Sequence, residues 1–263
     1  MNIIAKKSLG QNFLIDENII NIIVDVINIK DKAILEVGPG TGNLTRALLE
    51  KKPKKFYAIE KDKNLATLLQ AEFNNEINII NEDILNINEN IISNEELIVF
   101  GNLPYNISTE ILCKWILNLN DDKIWFSNLI LMFQKEVADR IISNFNCSNY
   151  GRLSILANWK LDVKKIIDIN SNSFKPKPKI DSSLLFFSPK KNFFKFKNPY
   201  NLEKITRIFF NHRRKMIKKP YNQIFFNNTD IINKLNLDLN LRPQNLDFET
   251  YYKLTDEYEK LRS

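Results

Sequence analysis

The residues with the most chemical content lie in Phe100-Gly101-Asn102-Leu103-Pro104-Tyr105-Asn106-Ile107-Ser108-Thr109. The apolar run Leu97 to Phe100 reads as a buried strand, and Gly101 and Pro104 forbid its regular continuation. A rigid loop at the carboxyl edge of a sheet is expected there, where open α/β sheets carry their chemistry. The Asn102 side chain offers one carbonyl acceptor. The main chain at Leu103, fixed by the following proline, offers a second. Two converging acceptors suit an amine with two N–H bonds, and the Tyr105 ring suits a planar ring carrying that amine. The same residues also read as an ordinary strand-to-helix turn capped by Ser108 or Thr109.

Three upstream features fall at successive strand ends. Ala33 to Val37 is a short apolar strand running into Gly38-Pro39-Gly40-Thr41-Gly42, where missing Cβ atoms let main chain approach a ligand. This is neither a phosphate-binding GxxxxGK[ST] nor a clean GxGxxG, so the turn alone names no cofactor. Phe56 to Ile59 ends in Glu60, about 20 residues after the glycine turn, where a carboxylate accepts two ribose hydroxyls. Ile77 to Ile80 leads to Asp83, placed to hydrogen-bond an adenine amino group. Each acid alone also reads as a helix cap or surface charge. Together with Asn102 they point to one ligand cleft.

The elements that would position these residues alternate between strand and helix. That order implies an α/β fold with a mostly parallel sheet and helices on both faces. Asp16 begins a helical stretch periodic to Ile27, Leu65 to Phe73 is amphipathic, and Leu129 to Phe133 is a further buried strand. Gln134 to Arg140 starts a helix, Tyr150 to Ser154 leads into another helix or strand, and Ser183 to Ser188 closes the sheet. Phe174 to Ser182 is read as irregular: two prolines stiffen it and Lys175, Lys177 and Lys179 charge it. Phe174 reads as an exposed aromatic suited to a flipped base, or as a ring tucked into the core. From Pro189 the chain turns basic and aromatic, then helical. This divides it into 1–188 and a small all-helical domain at 189–263. Arg207, Asn211, Arg214, Lys215 and Lys218 fall at helical spacing on one face, and Arg213 lies in the same basic stretch. They read as a phosphate-tracking face or as a plain solvated helix.

The chain has 263 residues, 44% hydrophobic, which is a globular composition. The net charge of +7 favours an anionic partner, most commonly nucleic acid. No apolar run is long enough to span a bilayer, and Met1 to Lys7 has no signal-peptide core, so a cytoplasmic location is expected. Cys113 and Cys147 lack metal-ligand spacing and His212 is the only histidine, so neither a metal site nor a histidine dyad is expected.

Several segments in order resemble the bacterial KsgA family. They are Gln11 to Leu14, Glu36 to Gly42, Gly101 to Thr109, Gln134 to Val137, Tyr150 to Ser154, Phe174 to Ser182 and Asn211 to Lys215. The resemblance implies a class I methyltransferase domain using S-adenosylmethionine, releasing S-adenosylhomocysteine and needing no metal. It implies N6-dimethylation of two adjacent adenines in the 3′-terminal hairpin of 16S rRNA, within the assembling 30S subunit, by a monomeric protein. Asn12 and Leu14 would close over the cofactor, with Gly38 and Gly40 beside its methionine part. Tyr105 and Phe174 would sandwich the base, and the lysines and arginines named above would meet RNA. Two alternatives stand beside this: an Erm-type enzyme of large-subunit rRNA, and an RNA-binding assembly factor without catalysis. Lys218-Lys219-Pro220 and the Asn-rich tail depart from the family pattern.

Overall fold

The computed structural model describes residues 5–6, 9–119 and 124–262, so the reading of Met1 to Ile4, Lys7 and Ser8 lies outside the described residues. After a two-residue strand β1 (Phe13–Leu14) and helix α1 (Glu17–Val24), strands and helices alternate. They are β2 (Ala33–Val37), α2 (Asn43–Glu50), β3 (Lys55–Ile59), α3 (Lys63–Phe73), β4 (Asn78–Ile80), β5 (Leu97–Gly101), α4 (Ser108–Asn118) and β6 (Phe126–Gln134). Every residue of β2 and β5 is buried, as expected of central parallel strands covered on both faces. Helix starts follow local capping: Asp16 accepts N–H groups of Asn18 and Ile19, and Asp62 accepts that of Asn64.

The remaining elements are α5 (Lys135–Ile141), α6 (Arg152–Lys160), β7 (Leu161–Ile169), β8 (Phe174–Lys175), β9 (Ser182–Pro189), α7 (Tyr200–Phe210), α8 (Lys218–Phe225), α9 (Thr229–Leu235) and α10 (Phe248–Lys260). Seven strands form one sheet in the order β4-β3-β2-β5-β6-β9-β7. β2 to β6 pair in parallel and β9 runs antiparallel to β6. The chain moves outward from β2 to β4, then crosses back to β5. That reversal opens a crevice at the strand ends of β2 and β5. One face of the sheet is covered by Ile20 and Ile23 of α1, Leu44 and Leu48 of α2, and Leu69 and Phe73 of α3. The expected mostly parallel α/β fold with a C-terminal helical region is what the chain adopts.

The chain forms two compact units. One comprises Met1–Lys114, Leu119–Ala138 and Val163–Pro189, and the other Trp115–Asn118, Asp139–Asp162 and Lys190–Ser263. The second has its own core, where the Tyr251 ring of α10 lies 5.8 Å from both Phe209 and Phe210 of α7.

Three sequence expectations are corrected. β9 does not close the sheet, because β7 lies beyond it; the polar residues of β7 suit an edge position and hide its strand signal. The segment from Phe174 is not wholly irregular: β8 pairs antiparallel with β1, Leu14 opposite Phe174. Arg207 to Lys218 is not one helix. α7 stops at Phe210 and α8 starts at Lys218. Pro220 has no N–H and is tolerated only in a first turn, which forces a new helix to begin just before it.

Candidate active site

The carboxyl ends of β2, β3 and β5 and the segment Leu9 to Leu14 line one cleft. After β2 the chain turns through left-handed Gly38 (φ 72°) and Gly40 (φ 60°). A Cβ on Gly40 would lie 2.8 Å from the Phe13 ring, so glycine is needed there for space as well as for backbone conformation. Glu36, one residue before the strand end, is also on the cleft and only 1% exposed. It accepts the Thr45 hydroxyl at 2.6 Å, and burial, outweighing that bond, pushes its carboxyl up to about 8.

Glu60 follows β3 directly and is buried. Its Oε2 accepts the Gly40 N–H at 3.2 Å and its Oε1 the Asp62 N–H at 2.8 Å. Burial holds its carboxyl above the usual range despite those two bonds. Asp83 accepts the Leu85 N–H at 3.0 Å and pairs with Lys61 at 2.6 Å. Burial works to raise its carboxyl, but the bonds to Lys61 and Leu85 and the charge of Lys61 leave it lowered. Both acids therefore serve as local hydrogen-bond acceptors and also line the cleft.

The loop after β5 brings Asn102, Leu103 and Tyr105 to the same cleft. Asn102 Nδ2 donates to the Asn12 carbonyl at 2.7 Å. Its amide nitrogen is thereby occupied, and Oδ1 is the atom offered as acceptor. The Leu103 side chain is buried, which anchors its main chain. The Tyr105 hydroxyl shares a hydrogen bond with Ser182 Oγ, and burial pushes its phenol up. Asn12 donates its own Nδ2 to the Gly10 carbonyl, and the Leu14 carbonyl accepts Asn43 Nδ2 at 2.8 Å. Predicted residues far apart in sequence thus meet: Asn12, Leu14, Gly38, Gly40, Glu60, Asp83, Asn102, Leu103 and Tyr105 line one cleft.

Phe174 does not join them as an exposed ring. It is 2% exposed and packs in the hydrophobic core with Leu14 and Ile169. The β1–β8 pairing draws it inward, so the core alternative is the one realised. Lys175, Lys177 and Lys179 remain exposed, as do Arg207, Arg214, Lys215 and Lys218. Arg213 instead donates to the main-chain carbonyls of Ser148 and Tyr150, so its guanidinium is engaged within the chain. Sequence reasoning missed Asp62 and Ser182. The Glu-x-Asp spacing before a helix marks Asp62 as a cap, but nothing in sequence brings Ser182 to Tyr105. Among the described residues, no group of three or more His, Cys, Asp or Glu is arranged to hold a metal ion, and no helix is long and apolar enough to cross a membrane.

Residues 3–260 match the family described as ribosomal RNA adenine dimethylase. A relative from Pelagibacter ubique, ribosomal RNA small subunit methyltransferase A, is 64% identical over 98% of this chain and 98% of its own. The relative of the same name from Mycoplasmopsis synoviae is 43% identical over 92% of this chain and 93% of its own. A dimethyladenosine transferase structure from Plasmodium falciparum superposes with a TM-score of 0.81 at 27% identity, covering 94% of this chain and 98% of that one. The 23S rRNA methyltransferase ErmE shares the fold, with a TM-score of 0.68 at 20% identity over 94% of this chain and 100% of that one.

Proposed function

The chain belongs to the ribosomal RNA adenine dimethylase family, and from that premise we propose that it transfers methyl groups from S-adenosylmethionine to small-subunit rRNA. The acceptors are the N6 atoms of two adjacent adenines in the 3′-terminal hairpin of 16S rRNA, within the assembling 30S subunit. The protein acts as a monomer in the cytoplasm. The observation that carries this reading is the fixed amide of Asn102, with Nδ2 held by the Asn12 carbonyl and Oδ1 left as acceptor beside Tyr105.

The residues present fit the donor. The left-handed glycines leave space that a Cβ would fill, and a buried carboxyl stands one strand away, at Glu60. Glu60 would hold the ribose hydroxyls, Asp83 the adenine amino group, and Gly38, Gly40, Asn12 and Leu14 the methionine end. When bound, S-adenosylmethionine supplies a sulfonium methyl that already carries a good leaving group. The chain's work is therefore positioning rather than strong acid–base chemistry.

The weak partner is the adenine amine, whose lone pair is delocalised into the ring. Asn102 Oδ1 accepts one N–H and the Leu103 carbonyl the other, which favours a pyramidal nitrogen. The Tyr105 ring stacks on the base, worth about 1–3 kcal/mol. Its hydroxyl, tied to Ser182, keeps that ring from swinging. When the methyl moves to N6 its bond to sulfur breaks, S-adenosylhomocysteine leaves and the nitrogen gives up one proton to solvent; the amine then retains one N–H, so the second round uses one acceptor. Lys175, Lys177, Lys179, Arg207, Arg214, Lys215 and Lys218 supply exposed positive charge for phosphates. The helical unit is the part proposed to dock on rRNA.

The experiment is incubation of the protein with labelled S-adenosylmethionine and, in parallel, unmethylated small and large ribosomal subunits, followed by mapping of the label. Two adjacent dimethylated adenines near the 3′ end are expected. Label in large-subunit rRNA would establish the Erm-type alternative, and no label at all the non-catalytic one.

A further inference from the structure

Asp62 is a buried carboxylate, 4% exposed, that stands outside the cleft lining. Its Oδ1 accepts the Asn64 N–H and caps α3, a task that needs one acceptor. Three further contacts come from the amino-terminal segment. Lys6 Nζ reaches Oδ1 at 2.9 Å and Oδ2 at 2.8 Å, and Gln11 Nε2 donates to Oδ2 at 3.2 Å. Gln11 Oε1 in turn accepts the Lys6 N–H at 2.7 Å. The carboxylate therefore fastens residues 6 and 11 to the end of the strand that carries Glu60.

Gln11 precedes Asn12, whose carbonyl holds Asn102 Nδ2. A side-chain amide free to rotate by half a turn exchanges its donor for its acceptor. That rotation would present an NH2 group to the substrate amine instead of an oxygen. The Asn12 carbonyl blocks it only while residues 11 and 12 stay in place. On the far side, Asn43 secures Leu14, so the weakly held end of this stretch is the one that Asp62 fastens.

We infer that Asp62 is a positioning residue for methyl transfer: through Gln11 it keeps the Asn12 carbonyl where it locks the Asn102 amide with its oxygen toward the substrate. The inference rests on the reading of Asn102 as acceptor for the amine. It assigns the amino-terminal segment a part in the chemical step as well as in lining the cleft.

The test is a double-mutant cycle on kcat, read by tritium transfer to unmethylated small subunits at saturating S-adenosylmethionine. Asp62→Asn keeps a side-chain oxygen to cap α3 and keeps its own N–H to Glu60, but loses the charge and one acceptor. A fall of about tenfold in kcat is expected, as for a small displacement of a positioning group. Gln11→Met fills similar space without a donor, touches no capping bond, and is expected to do the same. In an Asn102→Ala background neither change lowers kcat further. An equal fall in both backgrounds, or wild-type kcat in both single variants, overturns the inference. A wild-type rate for Asn102→Ala itself would instead refute the acceptor role, and this inference with it.

Discussion

Glu36 offers a stability measurement that separates one buried carboxyl from all the others. It sits within the all-buried strand β2, accepts the Thr45 hydroxyl, and has its carboxyl pushed up to about 8 by burial and, less strongly, by Glu60. A raised folded-state value means the folded protein prefers the protonated form. The contribution is fully present below about 4.5, where the unfolded carboxyl is also protonated, and is lost as pH rises toward 8. Between pH 5 and 7.5 the unfolded chain releases this proton while the folded chain keeps it. The corresponding loss is about 3 kcal/mol, an order-of-magnitude figure. Glu36→Gln keeps a carbonyl oxygen for Thr45 and removes the titration. Urea unfolding of both proteins at fixed ionic strength gives the difference directly, since other titrating groups cancel. The unfolding free energy of wild type minus variant is expected to fall by about 3 kcal/mol over that range. Curves that stay parallel from pH 5 to 7.5 would show that the carboxyl is ionised in place and that burial does not hold its proton.

Other perturbations reach the cleft and the basic surface. Glu60→Gln retains an acceptor for the Gly40 or Asp62 N–H but loses the charge offered to ribose hydroxyls. Calorimetry is expected to show S-adenosylmethionine binding weakened by about tenfold, on the order of 1.4 kcal/mol. Gly40→Ala forces an L-residue to φ 60° and drives a methyl against Phe13. Thermal melting should report a loss of at least about 1–2 kcal/mol, with weaker cofactor binding alongside it. Arg214→Glu with Lys215→Glu is expected to reduce the slope of log affinity for rRNA against log salt by about two. An unchanged slope would make these two side chains ordinary surface.

The sequence was most legible where one residue type has one physical use. Continuous apolar runs announced β2 and β5, because both faces of each strand are covered. The loop at Asn102 and the acid at Glu60 were legible because a glycine or proline, or a strand end, marks each position. β7 was not, because Asp162, Lys164, Lys165 and Asp168 break its apolar pattern, as they can on an edge strand. Phe174 was ambiguous for a different reason. Whether an aromatic beside lysines faces water depends on a partner strand, and that partner, β1, lies roughly 160 residues earlier in the chain. The basic row from Arg207 to Lys218 looked like one helix by spacing, and Pro220 was the signal that contradicts it. Asp62 was hidden because its partners, Lys6 and Gln11, meet it only in three dimensions.

The pairing of Phe13 and Leu14 with Phe174 and Lys175 also carries a timetable. These partners are separated by roughly 160 residues, so a chain emerging from a ribosome makes the first of them long before the second. Until residue 175 is out, the opening segment has no strand to pair with, and one wall of the cleft is unfinished.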